Sequence, residues 1–396
     1  MFLDKKIATR NFRLFLTGQA ISFTGSWLQY VALTWLVLKI THSSFWVGIV
    51  SGLPLITSAF LVCLGGIIAD KFKKKNILYI TQSAQMIQAF LLGFLVITEK
   101  ASLPIIVILA FFLGVASAID RPARMAFIPE IVGNCRIKSA MTISNIIGQM
   151  AKVIGPGIAG FLLTFTGIGW IFVINGVSFL AVIATLPMII AKRSRRSLVA
   201  NPFEMFWSGM KYSATEPKTR LYLILSALIA VAGFAYRPIL PNFSVDLLNA
   251  GPGTLGWLFA FVGLGSGVGS FLVLKKELSP CLIAGGSFFA GISLFLLPML
   301  VPSLISGFGL LFLSGAGFAI SSLTAKILIQ IIVGQEMRGR VSGILIAATN
   351  GGTALGHFAM GSLASNFGCS MALSTNGIFL LLVAGFAFAA TRKGSK

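Results

Sequence analysis

Long apolar blocks alternate with short polar or basic connections along the whole chain. The blocks fall at 14–38, 45–69, 77–98, 103–119, 140–163, 169–191, 220–247, 253–274, 279–299, 303–326, 341–363 and 370–391. Inside a block the apolar residues run on continuously, without the i, i+3, i+4 spacing of a surface helix. About 20 such residues cross a bilayer as a helix, and lipid enforces helix because every backbone group must pair within the segment. The pattern predicts an all-α membrane protein with twelve transmembrane helices. The first block follows Lys5, Lys6, Arg10 and Arg13. It exceeds a signal-peptide core and lacks a small-residue cleavage site, so it reads as a retained span.

The connections set the orientation, because lysine and arginine concentrate on the cytoplasmic side. With the N-terminus in the cytoplasm, 26 of the 31 basic residues fall on that side, while Lys39 and Lys100 fall outside. Both termini are therefore expected in the cytoplasm. The longest connection, 192–218, follows the sixth block and carries the cluster Lys192-Arg193-Ser194-Arg195-Arg196, then an amphipathic piece around Phe203 to Tyr212. An internal repeat at an offset of 201 divides the chain at the same point. It pairs Phe111 with Phe312, Gly114 with Gly315, Ala118 with Ala319, Val132 with Val333, Gly155 with Gly356 and Gly160 with Gly361. Two pseudo-symmetric six-helix bundles follow, 1–191 and 219–396, joined by a cytoplasmic loop at 192–218.

Composition narrows the function. With 56% hydrophobic and 10% charged residues, the chain is no ordinary soluble enzyme. The formal charge of +21 reports topology and not nucleic-acid binding, since the basic residues adjoin apolar blocks and leave no soluble basic face. Cys63, Cys135, Cys281 and Cys369 are scattered, with no CxxC pair and no metal-ligand spacing, so no metal or cofactor is expected. No nucleophile, base and orienting group occur together at plausible depth, which argues against catalysis. The implied partners are the lipid bilayer and a small-molecule substrate.

After the second span comes Gly66-Ile67-Ile68-Ala69-Asp70-Lys71-Phe72-Lys73-Lys74-Lys75. It resembles the G-x-L-a-D-r-x-G-r-k signature of the major facilitator superfamily, with Lys73 where a second glycine is usual. The resemblance implies a latch that closes the cytoplasmic side of an outward-facing transporter, carried by Gly66, Asp70, Lys71, Lys74 and Lys75. A basic loop after a helix-capping Asp is the plainer reading. In span five, Gly155-Pro156-Gly157-Ile158-Ala159-Gly160 is similar to the proline and glycine motif of exporters and antiporters in that superfamily, which implies export; small residues also simply allow close helix packing. Arg121-Pro122-Ala123-Arg124, Tyr236-Arg237-Pro238-Ile239-Leu240-Pro241 and Gly339-Arg340-Val341-Ser342-Gly343 resemble the subfamily that includes the enterobactin exporter and macrolide efflux proteins. The resemblance implies a major facilitator fold in a bacterial cytoplasmic (inner) membrane.

Polar residues at helical spacing inside apolar spans face protein or a watery cavity. Span five presents Asn145, Gln149, Lys152 and Pro156 on one face, and the offset of 201 adds Asn350, Thr353 and His357 in span eleven. Span one offers Ser26, Gln29 and Tyr30, with Ser22, Trp27 and Trp35 nearby. The ten acidic residues all map to connections or span ends, and span four, read as 103–119, holds no arginine. Lys152 and Arg237, by contrast, sit well inside spans, at about 2.5 to 3.5 kcal/mol each on insertion scales. An anionic substrate held between them is the functional reading; snorkelling or carbonyl pairing is the structural one. Lys326, near the inner end of span ten, reads as snorkelling. His357 is the candidate for a coupling proton, being titratable near neutrality at mid-depth. The expected activity is secondary transport, by alternating access, of an amphipathic anionic molecule such as a siderophore. Multidrug or macrolide efflux, lysophospholipid flipping, siderophore import and a non-transporting sensor or scaffold stand as alternatives.

Overall fold

The computed structural model describes residues 5–133, 137–190, 202–275, 278–300 and 303–393, and among these it is helical with no strand. The basic cluster at 192–196, Cys135, Lys276, Glu277 and the last three residues lie outside that set. The helices are α1 (Lys5–Thr41), α2 (Ser44–Lys71), α3 (Lys74–Ile97), α4 (Leu103–Val132), α5 (Ile137–Phe165), α6 (Ile168–Met188), α7 (Pro202–Thr215), α8 (Pro217–Gly233), the single turn α9 (Leu240–Asn242), α10 (Pro252–Lys275), α11 (Cys281–Leu296), α12 (Leu304–Ile332) and α13 (Gln335–Lys393). Ten helical stretches are long and apolar enough to cross a membrane, and α11, at 16 residues, is a shorter apolar helix. One of the ten, Glu336–Ala390, runs through Gly368, whose φ of 84° and ψ of 163° are not helical. Gly356 meets Val231 of α8, and Asn376 donates to the Ala232 carbonyl at 3.0 Å. Two parts of α13 on either side of Gly368 thus reach one level of α8, so the chain folds back at Gly368.

Several boundaries differ from the hydropathy pattern. The apolar block of span four ends at 119, whereas α4 continues to Val132. Its 30 residues cover about 45 Å at ~1.5 Å each, more than a hydrocarbon core of ~30 Å. Asp120, Arg121 and Arg124 therefore ride on the fourth helix, correcting both the connection expected there and the absence of arginine. Asp120 is also 1% exposed, so one carboxylate is buried and not in a connection. Span seven is a helix only to Gly233. A 3-10 turn (Arg237–Ile239), α9 and a π turn (Phe243–Leu247) follow, because Pro238 and Pro241 lack the N–H groups that would continue the ladder. The amphipathic piece of the long connection forms α7, which packs on α13 and α8: Arg340 donates to Ser208 Oγ at 2.8 Å.

The helices sort by packing. Helices α1 to α6 pack among themselves through α1·α6, α3·α6, α1·α5, α2·α4 and α3·α4, and α8 to α13 through α10·α12, α11·α12, α11·α13 and α8·α13. The main seams between the groups are α2·α13 and α5·α10. Glycines at the repeat offset make matching contacts. A Cβ on Gly160 would lie 2.8 Å from the Gly253 carbonyl oxygen across the α5·α10 seam, and one on Gly361 would lie 2.7 Å from the Ser44 carbonyl oxygen across the α2·α13 seam. Gly155 fits against Thr24 and Trp27 of α1 as Gly356 fits against Val231 and Ala235 of α8.

The two ends of the molecule are packed differently. Call the end carrying Lys71 to Lys75 and Arg338 to Arg340 the basic end. At the opposite end one apolar cluster joins both groups, uniting Val31, Val47 and Ala159 with Tyr236, Leu255 and Val262. At the basic end the core splits in two: Phe15, Leu78, Phe127 and Val182 in one cluster, Leu225, Ile283, Ile329 and Val341 in the other. A Cβ on Gly66, Gly267, Gly339 or Gly343 would meet nothing within 4 Å. One apolar core is shared by both helix groups opposite the basic end, and two separate cores lie toward it.

Candidate functional site: a cationic vestibule

Where the two helix groups meet, the broken α8 delivers Arg237. Pro238 and Pro241 force the chain into tight turns there, and Asn376 and Cys369 contribute polar contacts to the freed backbone at Ala232 and Ile239. Such backbone is tolerated at membrane depth only when buried in protein or lining a cavity. Arg237 is 8% exposed. Its guanidinium lies 3.4 Å from the Phe234 ring centroid and 5.2 Å from that of Trp27 in α1. Two aromatic faces thus hold the cation from opposite helix groups. Its Nε has no hydrogen-bond partner, and no described carboxylate pairs with it.

Of the residues singled out by pattern, Tyr30, Lys152 and His357 lie within reach of this cation's charge. Tyr30 sits edge-on to Trp27 and to Phe259 of α10, at centroid distances of 5.4 and 5.8 Å, with its hydroxyl beside Ser51. Lys152 of α5 is half-buried and close enough to feel the charges of Arg237, Lys326 and Arg121. Asn145, one turn and more toward the basic end, is exposed, and Gln149 is half-buried. None of these three α5 side chains bonds to a described residue. On α13, Asn350 keeps a buried amide nitrogen without a partner, while Thr353 turns its hydroxyl back to the Thr349 carbonyl at 2.8 Å. Ser26 is exposed one turn before Tyr30 and donates to the Ser22 carbonyl. Pro156 is buried, its carbonyl facing Gly256 of α10.

Two candidates are committed differently. Gln29 is 4% exposed and committed to its own helix group: it donates to Gln88 at 3.1 Å and accepts from Asn175 at 2.6 Å. The expectation that it lines the pocket is corrected, since its amide ties α1 to α3 and α6. His357, 3% exposed, belongs to the α2·α13 seam, where its carbonyl abuts Gly48 and its ring lies against the backbone of Ser51 and Phe234. Both ring nitrogens lack a partner. Its place is in that seam, within reach of the Arg237 charge.

A buried network missed by pattern runs along α1, α3 and α4. Asp120 accepts from Thr81 at 2.9 Å and Gln82 at 2.8 Å and pairs with Arg124, which reaches Gln19 at 3.1 Å. The signal was present as Asp120 and Arg124 at i, i+4, a spacing that meets on one helix face. At the basic end, Lys74 pairs with Glu130 at 3.3 Å and Lys75 donates to the Pro187 and Ile189 carbonyls. These two lysines bind their loop to its own helix group. Asp70 and Lys71 are exposed, and Gly66 borders open space. An apolar groove of about 750 Å³ between α1 and α6 is lined by exposed Ile21, Val177 and Leu180 and has the character of a lipid-facing flank.

Long apolar helices in two packed groups, with Arg237 buried where the groups meet, have the architecture of a multi-pass membrane protein. The chain belongs to the transmembrane secretion effector family of the major facilitator superfamily, whose model matches residues 6–393. It is similar to the staphyloferrin A transporter of Staphylococcus aureus, at 26% identity over 377 residues and 94% of both chains. The enterobactin exporter EntS of Escherichia coli is 26% identical over 385 residues, covering 94% of this chain and 89% of its own. Among solved structures, a bacterial homologue of the human lysosomal transporter Spinster, inward-facing and unoccupied, superposes with a TM-score of 0.81 at 16% identity over 98% of both chains. The nucleoside transporter NupG does so at 0.75 and 14%, over 96% of this chain and 98% of its own. These likenesses share the fold. The protein is a multi-pass transporter of the bacterial inner membrane.

Proposed function

We propose that this chain is a secondary transporter that exports an amphipathic anionic molecule of siderophore type by alternating access. The carrying observation is the pair Lys152 and Arg237, contributed by opposite helix groups at the head of the vestibule with no described carboxylate to neutralise either. A buried cation without a counter-ion is costly in a membrane, and an anionic cargo removes that cost only while bound. Trp27, Tyr30 and Phe259 supply apolar walls; Asn145, Gln149, Asn350, Thr353 and Ser26 supply hydrogen bonds. The siderophore names of two relatives favour that class, and the Gly155 to Gly160 motif favours export.

In this reading the chain crosses the membrane twelve times, counting α11 and the two parts of α13, and the bundles 1–191 and 219–396 rock about the seams. The basic end, both termini and the segment 192–218 face the cytoplasm, so the described state is open inward. Gly66, Asp70, Lys71, Lys74 and Lys75 latch the cytoplasmic side in the opposite state. His357 is assigned the coupling proton, since its unpartnered ring sits in the seal that must open. Comparison of siderophore in cytoplasm and culture supernatant, with and without the gene under iron limitation, tests the cargo; an unchanged distribution rejects it. Lys152→Gln and Arg237→Gln each lower export at least tenfold at normal expression, and unaltered export in both rejects the site.

A further inference from the structure

The apolar groove between α1 and α6 has a floor, walls and a charged end. The two helices run antiparallel in close contact: Asn11 donates to the Ile190 carbonyl at 2.7 Å, and a Cβ on Gly18 would lie 2.9 Å from Thr185 Oγ1. Farther along, a Cβ on Gly25 would strike Ser178. Ala20, Gly25 and Ala181 leave a floor of small side chains there, and the exposed Ile21, Val177 and Leu180 stand around it. The result is a cleft of about 750 Å³ in a flank that otherwise presents apolar side chains to lipid.

Arg10 and Arg13 flank Asn11, so the Asn11 contact sets them beside the end of α6. Both are exposed, and no described carboxylate neutralises either. At ~100° per residue Arg10 falls within ~20° of Ile21 around the helix, and Arg13 stands about 12 Å from Ile21 along it at ~1.5 Å per residue. The sequence adds Lys192 and Arg193 just past Ile190. Lys75, also at this place, is spent on the Pro187 and Ile189 carbonyls.

We propose that the α1–α6 cleft binds one anionic phospholipid, its phosphate on Arg10 and Arg13 and one acyl chain laid over Gly25. Half the hydrocarbon core is ~15 Å deep, so a chain hung from a phosphate at Arg13 enters the cleft at Ile21 before it reaches mid-bilayer. Shape holds the tail and charge selects the headgroup. A zwitterionic lipid fits the cleft but brings its own cation to the arginines. The site lies on the outer flank of one helix group and does not depend on what is transported.

The test uses the full chain in detergent, with native mass spectrometry reading the bound-to-free ratio for phosphatidylglycerol and for phosphatidylcholine at equal concentration. The parent takes up one phosphatidylglycerol at a ratio at least fivefold above that for phosphatidylcholine. Arg10→Gln and Arg13→Gln each lower the phosphatidylglycerol ratio at least threefold. Arg338→Gln, which removes an exposed cation at the basic end of the other helix group, leaves it unchanged. Ala20→Leu combined with Ala181→Leu fills the floor and lowers the ratio for both lipids. Equal ratios for the two lipids in the parent, arginine variants that bind as the parent does, or an equal fall in Arg338→Gln overturn the headgroup site. Unchanged binding after the floor is filled overturns the cleft, and a dimer of the chain that disappears on filling gives the cleft to a second copy instead.

Discussion

Arg237 sits on two aromatic faces and keeps its charge unpaired, so its two properties can be separated by substitution. Lysine retains the charge but has no planar guanidinium to stack. Arg237→Lys therefore loses the ring contacts, about 1 kcal/mol by the usual strength of such pairs, and weakens cargo binding about fivefold in equilibrium dialysis. Arg237→Gln removes both properties and weakens binding further. If the lysine variant matches the glutamine variant, geometry outweighs charge. Asp120 makes a contrasting case, because its charge is already spent on Arg124, Thr81 and Gln82. Asp120→Asn strands Arg124 and costs about 3 kcal/mol of stability, seen as a lowered thermal midpoint. Gln29→Ala removes two interhelical bonds at ~0.6 to 2 kcal/mol each while leaving cargo affinity at the parent value; a loss of affinity would return Gln29 to the pocket.

At the scale of helices, close approach at glycine governs the seams. Gly160 and Gly256 interlock so tightly that a Cβ on Gly256 would lie 2.7 Å from the Pro156 carbonyl oxygen, a distance backbone cannot absorb without moving. Gly160→Val pushes α5 from α10 and opens the seal, so a cysteine introduced at Ser51 reacts with an impermeant maleimide from outside at least tenfold faster than in the parent. Equal rates would show that the seam tolerates the methyl groups. Much of this was legible beforehand: the apolar blocks located the helices, and the repeat matched glycines that make equivalent contacts. Hydropathy failed where helix and membrane part company. It ended span four at residue 119 because the polar residues Asp120, Arg121 and Arg124 break the apolar run, although nothing in them breaks a helix. Spacing alone could not tell the α1 face holding Gln29 from the one holding Tyr30, since either is polar and only the partners on α3 and α6 decide between them. The pattern reads Arg121 as part of a connection and Lys326 as snorkelling, since charge near a span end is ordinary.

For the whole molecule, one shared apolar cluster at the sealed end and two separate clusters at the basic end mean that changing state must part the first and cover the space between the other two. That exchange needs contacts at the basic end that are absent here, and the loop after α2 is the evident supplier. Lys74 and Lys75 anchor it here to Glu130 and to the end of α6, while Asp70 at the end of α2 is exposed and without an ion pair among the described residues. A residue idle in one state and engaged in the other shifts the balance without changing the stability of the first. Asp70→Asn should accordingly leave the thermal midpoint unchanged, lengthen the mean distance across the basic end and cut transport turnover about tenfold. Lys74→Gln, which breaks a pair present in the described state, should instead lower the midpoint. Turnover unaffected by Asp70→Asn, or a midpoint that falls as much as in Lys74→Gln, would assign Asp70 to local helix capping and leave closure of the basic end to other groups.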